Sequence, residues 1–313
     1  MGEGETATMP GGGSTVLGEA SEPSTPRRAS AGSLGTVAVL GVGLIGGSVA
    51  LAVAETGAAR EVRIWDPDPE ALAVARRRAP ALAVCGSAEE ASATAQLVVV
   101  CAPVDCVPSV VEQIRPALPS DAVATDVGST KARIVREAEE VLGGRFVGGH
   151  PMAGAEQSGM AAARPGLFTG APWILTPTSR TEPRALEAAC ALARALGAVP
   201  RLSTPAQHDR VAARLSHLPH LLAYGLAAVA ASEVDPACRD LYAGSFRDGT
   251  RVALSSPEAW AAILSENRAE AADALEAFIA WSADTLECLR TGDSAALLER
   301  LAAARAARRK FNR

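Results

Sequence analysis

Residues 36–48 read TVAVLGVGLIGGS, and the interpretation of this stretch decides the fold. Five residues led by Thr, Val and Leu predict a short buried strand, and the apolar run from Leu44 onward predicts a helix. Between them Gly41, Gly43 and Gly46 fall in the spacing GxGxxG. In a strand–turn–helix these glycines serve, in order, the tight turn, the close approach of the backbone to a pyrophosphate, and the close packing of helix on strand. The unpaired N–H groups at the helix start, where Leu44 and Ile45 stand, favour an anion. The same stretch invites a second interpretation. Arg27 and Arg28 precede a charge-free segment, 29–54, that imitates a twin-arginine export signal and is long enough for a membrane helix. Glycines at 41, 43, 46 and 47 weaken any continuous helix, so a soluble, cytoplasmic protein with no membrane partner is expected.

Outward on the N-terminal side, residues 1–34 are rich in Gly, Ser, Thr, Pro and Ala. They carry too little apolar surface to offset the entropy of ordering, and a disordered leader is expected. On the C-terminal side, β-branched runs alternate with alanine-rich helical stretches. Strands are expected at 36–40, 61–65, 81–85, 96–101, 121–126, 145–149 and 172–175, with helices such as 69–78 and 130–141 between them. That pattern predicts an α/β fold: a Rossmann-type doubly wound sheet over 35–202 whose strands are parallel and joined by right-handed crossovers. After about Ser203 the β signal vanishes, and 205–232, 256–289 and 293–310 read as long helices. An all-helical domain over 203–313 is expected, apolar enough to bury one face against a second copy and form a homodimer.

Bulk properties bound the function. The chain has 313 residues, 48% hydrophobic and 4% aromatic, and a net charge of −5 with basic residues spread throughout. Nothing here grips a polyanion, so nucleic acid is not an expected partner. The cysteines at 85, 101, 106, 190, 238 and 288 form no CxxC pair and no zinc-like cluster. Reduced thiols and no metal are expected.

The second predicted strand ends in VRIWDPD, which places Asp66 where a carboxylate can accept both hydroxyls of an adenosine ribose. The same carboxylate would repel the 2′-phosphate of NADP, so NAD is the expected cofactor, with Asp68 the lesser candidate. In a parallel sheet all strand ends share one edge, and ligands bind outside it. Strand 96–101 delivers Cys101 and Pro103 there as wall residues. Strand 121–126 continues into DVGSTK, bringing Ser129 and Lys131 to a helix start, where a Ser or Thr, Thr130 among them, serves equally well as a cap. Strand 145–149 ends at His150, held extended by Pro151. A dehydrogenase oxidising an alcohol needs a base, and a neutral imidazole is suited to it, so His150 is the first candidate. The other histidines lie in HDRVAARLSHLPH, 208–220, where His217 and His220 share a helix face near a break imposed by Pro219.

Taken together GVGLIGGS, DVGSTK, GGHPMAGAEQSG, HDRVAARLSHLPH and FRDGTRVALSSPEAW resemble the prephenate and arogenate dehydrogenases of tyrosine biosynthesis, in that family's order over roughly 35–270. The resemblance implies oxidative decarboxylation of a cyclohexadienyl acid. It implies His150 as the catalytic histidine bonding the ring hydroxyl and Ser129 as the serine that orients it. It also implies His220 and Arg251 as substrate-binding residues, His217 beside them, and Glu156, Asp248 and Arg251 as a polar network at the mouth. By the same resemblance Ser255 and Trp260 match residues that complete the pocket. Two carboxylates on the substrate call for a local cation in an acidic protein, which suits Arg251. Lys131 reads as a residue that positions its loop. Three alternatives stand beside this one. A β-hydroxyacid dehydrogenase would carry a catalytic lysine on a long helix, which 205–232 lacks. An enzyme for 4-amino-4-deoxyprephenate would place an amine where His150 reaches, and a non-catalytic nicotinamide sensor would use the fold alone.

Overall fold

The computed structural model describes residues 33–154 and 157–311. The charge-free stretch resolves into strand β1 (Thr36–Leu40), a glycine turn, and helix α1 (Leu44–Thr56). Every residue of β1 is buried, Val37 and Val39 in one hydrophobic layer and Ala38 and Leu40 in the other. A strand covered on both faces needs no polar side, which is why its sequence shows no alternation. From there the chain runs through β2 (Glu61–Trp65), α2 (Pro69–Arg78), β3 (Ala83–Val84), α3 (Ala88–Ser92), β4 (Leu97–Val100), α4 (Val107–Ile114) and β5 (Val123–Asp126). Then come α5 (Ala132–Leu142), β6 (Phe146–Pro151), β7 (Pro172–Thr176), α6 (Pro183–Ala195) and β8 (Val199–Leu202).

The sheet order is β3-β2-β1-β4-β5-β6-β7-β8. The reversal of direction between β1 and β4 opens the crevice in which doubly wound folds hold ligands. Two expectations are corrected. The strands are not all parallel, since β7 pairs antiparallel with β6, Gly149 opposite Leu175 and His150 opposite Ile174. The connection between them holds only short 3₁₀ turns, Met160–Ala162 and Pro165–Phe168, and a parallel return needs a longer crossover element. The second correction is an eighth strand before Ser203. The sequence Val-Pro-Arg-Leu of β8 is largely exposed and, among the described residues, pairs only with β7, so Pro200 is tolerated at the sheet edge.

The rest of the described chain is helical: α7 (Pro205–Ala212), a π-helical turn (Ala213–His217), α8 (Leu218–Glu233), α9 (Gly244–Thr250), α10 (Pro257–Glu266), α11 (Arg268–Thr291) and α12 (Ser294–Arg309). The long helix expected over 205–232 is thus interrupted, the Leu218 N–H reaching back to the Ala213 carbonyl just before Pro219. Proline lacks the N–H that would continue the regular ladder, and one wide turn re-pairs the backbone around it. Likewise 256–289 breaks at Asn267 into α10 and α11. None of the described helices is long and apolar enough to cross a membrane. Large apolar side chains stand exposed along this part, among them Leu241, Leu254, Leu289 and Leu298, each more than half accessible.

Candidate active site

The C-terminal ends of β1, β4, β5 and β6 converge on a cavity of about 600 Å³. Its floor is the glycine turn. Gly41 has φ +96°, a conformation that side chains resist, and a methyl on Gly46 would overlap the Gly41 carbonyl and the Cys101 side chain. Gly43 differs: a methyl there meets nothing within 4 Å among the described residues. It stands at the start of α1 with no side-chain cap. Open space over an uncapped helix N-terminus fits a pyrophosphate. Gly43, Leu44, Ile45, Gly46, Cys101 and Pro103 all line the cavity. Burial pushes the Cys101 thiol far up, with the carboxylates of Asp126 and Asp66 adding to it, so it is an inert wall group.

Asp66 follows β2. Its Oδ2 accepts the Val42 N–H of the glycine turn at 2.6 Å and its Oδ1 accepts the Asp68 N–H at 2.9 Å. These bonds hold the carboxylate beside the turn while each oxygen keeps a lone pair. Asp68 is committed elsewhere, since it caps α2 by accepting the Glu70 N–H.

Ser129 and His150 open onto the same cavity as the glycine turn. The loop carrying Ser129 is anchored by Asp126, whose Oδ2 accepts from Gly128 N–H and pairs with the Lys131 ammonium, both Asp126 and Lys131 being fully buried. Oδ1 of the same carboxylate accepts the Gly149 N–H at 3.0 Å. One buried ion pair therefore fixes the approaches to both Ser129 and His150. Lys131 is thereby tied to the carboxylate that anchors the loop. Capping by Thr130 is corrected: its hydroxyl is buried without a partner among the described residues. Helix α5 is capped from outside instead. Asp209, on α7, accepts the Lys131 N–H at 2.7 Å and the Ala132 N–H at 2.8 Å.

Asp209 also holds His208, and His208 holds His150. The distances are 2.7 Å from His208 Nδ1 to Asp209 Oδ1 and 2.8 Å from His150 Nδ1 to His208 Nε2. A carboxylate accepting at Oδ1 assigns the proton of neutral His208 to Nδ1, leaving its Nε2 an acceptor. His150 must then donate from Nδ1, which leaves its Nε2 an acceptor. Burial lowers the His150 pKa well below the ordinary imidazole value, and the charges of His208, Lys131 and His217 lower it further. His150 is therefore held in its neutral form. Neither His208 nor Asp209 stood out in the sequence. The available signal was an Asp beside a His in the first turns of α7.

Trp260 and Ser255, from the α9–α10 region, close the cavity on the helical side. His220 stacks on Trp260 at 3.6 Å between centroids, and its Nδ1–H donates to the Ser216 carbonyl, leaving Nε2 as an acceptor. Burial lowers its pKa and the nearby charge of Arg251 lowers it further, against that hydrogen bond. His217 meets the same indole edge-on but is wholly buried, its Nδ1 facing the Asn267 amide at 3.3 Å, and it does not line the cavity. Burial pulls its pKa down to about 4. Asp248 is exposed and paired with Arg247, and Glu156 lies outside the described residues.

A dinucleotide-type glycine turn facing an oriented neutral imidazole across one crevice, with a helical half closing it, defines a nucleotide-binding oxidoreductase. Residues 49–202 match the model of the prephenate dehydrogenase nucleotide-binding domain, and residues 204–303 match that of the prephenate dehydrogenase dimerization domain. The chain belongs to the prephenate dehydrogenase family. It is 34% identical to the prephenate dehydrogenase of Bacillus subtilis over 78% of this chain and 67% of that one. It is also 34% identical to the cyclohexadienyl dehydrogenase of Zymomonas mobilis, over 78% of this chain and 85% of the relative. Among solved structures, prephenate dehydrogenase from Aquifex aeolicus, in complex with hydroxyphenyl propionate and NAD+, superposes with a TM-score of 0.82 at 31% identity, covering 88% of this chain and 98% of that one. Synechocystis arogenate dehydrogenase superposes with a TM-score of 0.75 at 28% identity, covering 88% and 99%.

Proposed function

We propose that this chain catalyses NAD-dependent oxidative decarboxylation of prephenate, or of its alanyl counterpart arogenate, to the corresponding 4-hydroxyphenyl product. The observation that carries the reading is the acceptor Nε2 of His150, set by the hydrogen bonds behind the ring, in the same cavity as Ser129 and the glycine turn. Gly43 and the start of α1 would hold the pyrophosphate and Asp66 the adenosine ribose, its charge favouring NAD over NADP. When bound, the nicotinamide supplies the hydride acceptor. His150 Nε2 takes the ring-hydroxyl proton, and Ser129 orients that hydroxyl. Loss of carbon dioxide from the opposite ring carbon aromatises the product and drives the reaction. His220 and Arg251 bind the substrate's carboxylates, and Trp260, stacked on His220, supplies an apolar wall with Ser255 beside it. His217 acts by supporting Trp260.

Family membership and the Aquifex aeolicus complex support the substrate class, and the matched dimerization domain supports a homodimer. The test is the purified chain with NAD or NADP against prephenate and arogenate, following reduced cofactor. Turnover of either acid, faster with NAD, is expected. Absence of turnover with both would overturn the reading, and oxidation of 4-amino-4-deoxyprephenate alone would redirect it.

A further inference from the structure

The hydrogen-bonded chain behind His150 does more than orient a ring. Nδ1 of His150 stands 2.8 Å from Nε2 of His208, and Nδ1 of His208 stands 2.7 Å from Oδ1 of Asp209. His208 and Asp209 are almost wholly inaccessible to solvent. Each member therefore has a single route for a proton, along the chain. We propose that the proton removed by His150 does not stay there, and that His208, backed by Asp209, is the positioning residue on which the positive charge comes to rest. This rests on the reading of His150 as the base.

The step balances without any further reactant. The hydroxyl O–H bond breaks and its electron pair forms the carbonyl as hydride departs. A bond forms from that proton to His150 Nε2. The Nδ1–H bond of His150 breaks and the proton bonds to Nε2 of His208. His208, now protonated at both nitrogens, keeps its Nδ1–H on Asp209, while His150 is neutral again with its proton on Nε2.

The surroundings favour this distribution. His150 is a poor seat for a cation, since it is partly withdrawn from water and faces Lys131 from the α5 side, His208 from α7 and His217 from the π-helical turn. Lys131 is itself paired with Asp126. His208 has a carboxylate in direct contact. That carboxylate is fixed before any charge arrives, by the N–H groups of Lys131 and Ala132 at the start of α5 and, through its own backbone carbonyl, by the Asn267 amide. A preorganised anion stabilises a developing cation at no reorganisation cost. Both ring nitrogens of His208 are taken up, Nε2 by His150 and Nδ1 by Asp209, so the relay ends there.

Two measurements test the proposal. The first is ¹⁵N imidazole NMR of the whole chain as a function of pH, which needs no turnover. At neutral pH both His150 and His208 are expected to carry their protons on Nδ1, and on acidification the first of the pair to become doubly protonated is expected to be His208. A resting His208 protonated at Nε2, or first protonation at His150, would overturn the proposal. The second is His208→Gln, whose amide oxygen can still accept from His150 Nδ1–H but cannot hold a proton. We expect kcat to fall on the order of 10-fold to 100-fold, with KM for both substrates nearly unchanged. The acid limb of the kcat profile should move to lower pH, because the remaining imidazole lacks a carboxylate partner. Wild-type kcat with an unmoved acid limb refutes the relay. If the unaltered chain turns over no cyclohexadienyl acid, the proposed function fails, and the NMR titration still decides where the proton rests.

Discussion

The glycines of the nucleotide turn differ in what each would tolerate. A methyl at Gly46 collides with the Gly41 carbonyl and Cys101, so Gly46→Ala should cost roughly 1–3 kcal/mol, read as a lower denaturant midpoint. A methyl at Gly43 meets nothing. Gly43→Ala should therefore fold normally yet bind NAD weakly, as titration calorimetry would show. At the reacting end, His150→Asn removes the proposed base and should lower kcat by about 10² to 10⁴-fold, with NAD affinity little changed; near-normal turnover would discard the assignment. The positions of His150, Ser129 and Asp66 at or just beyond strand ends were legible because a strand end announces itself in sequence. His208 and Asp209 were not, because their significance depends on an approach across 58 residues of chain between His208 and His150.

At the scale of elements, sequence spoke clearly wherever an element is defined by its own residues. Strands β1, β2 and β4 are dense in Val, Ile and Leu, and α2 carries its cap, Asp68, next to Pro69. It spoke poorly where an element depends on its neighbours. The edge strand β8 holds a proline, and the reversed direction of β7 follows from the want of a crossover helix before it. The start of α5 has no cap of its own and borrows Asp209. Asp209→Ala should accordingly lower stability by about 1–2 kcal/mol, measured by urea unfolding. The π-helical turn brings a pH dependence. His217 has a folded pKa near 4, below its unfolded value of 6.5, so the unfolded chain binds the extra proton between them. Stability from this residue is full above about pH 6.5 and is lost as pH falls toward 4. A urea midpoint that drops over that window, and drops less in His217→Phe, would be the signature.

Over the whole molecule, the sheet half buries its apolar residues in two layers while the helical half leaves Leu241, Leu254, Leu289 and Leu298 largely exposed. Scattered exposed leucines are ordinary, but this many on the part that matches a dimerization domain call for a partner surface. Light scattering should give twice the mass of one chain, and Leu289→Glu with Leu298→Glu should shift the equilibrium toward monomer; a monomeric parent chain would contradict this. The two halves of one chain are also tied together, by Arg133 to Glu266 and by Asp209 at the head of α5. Asp209 has a consequence for any exchange of halves between relatives. A hybrid joined near residue 203 takes its glycine turn from one parent and its α7 carboxylate from the other, so 126–132 and 208–209 are inherited separately. Such hybrids should fail as catalysts whenever those two segments are mismatched, however well each half folds, and regain activity when the segments are transplanted as a set.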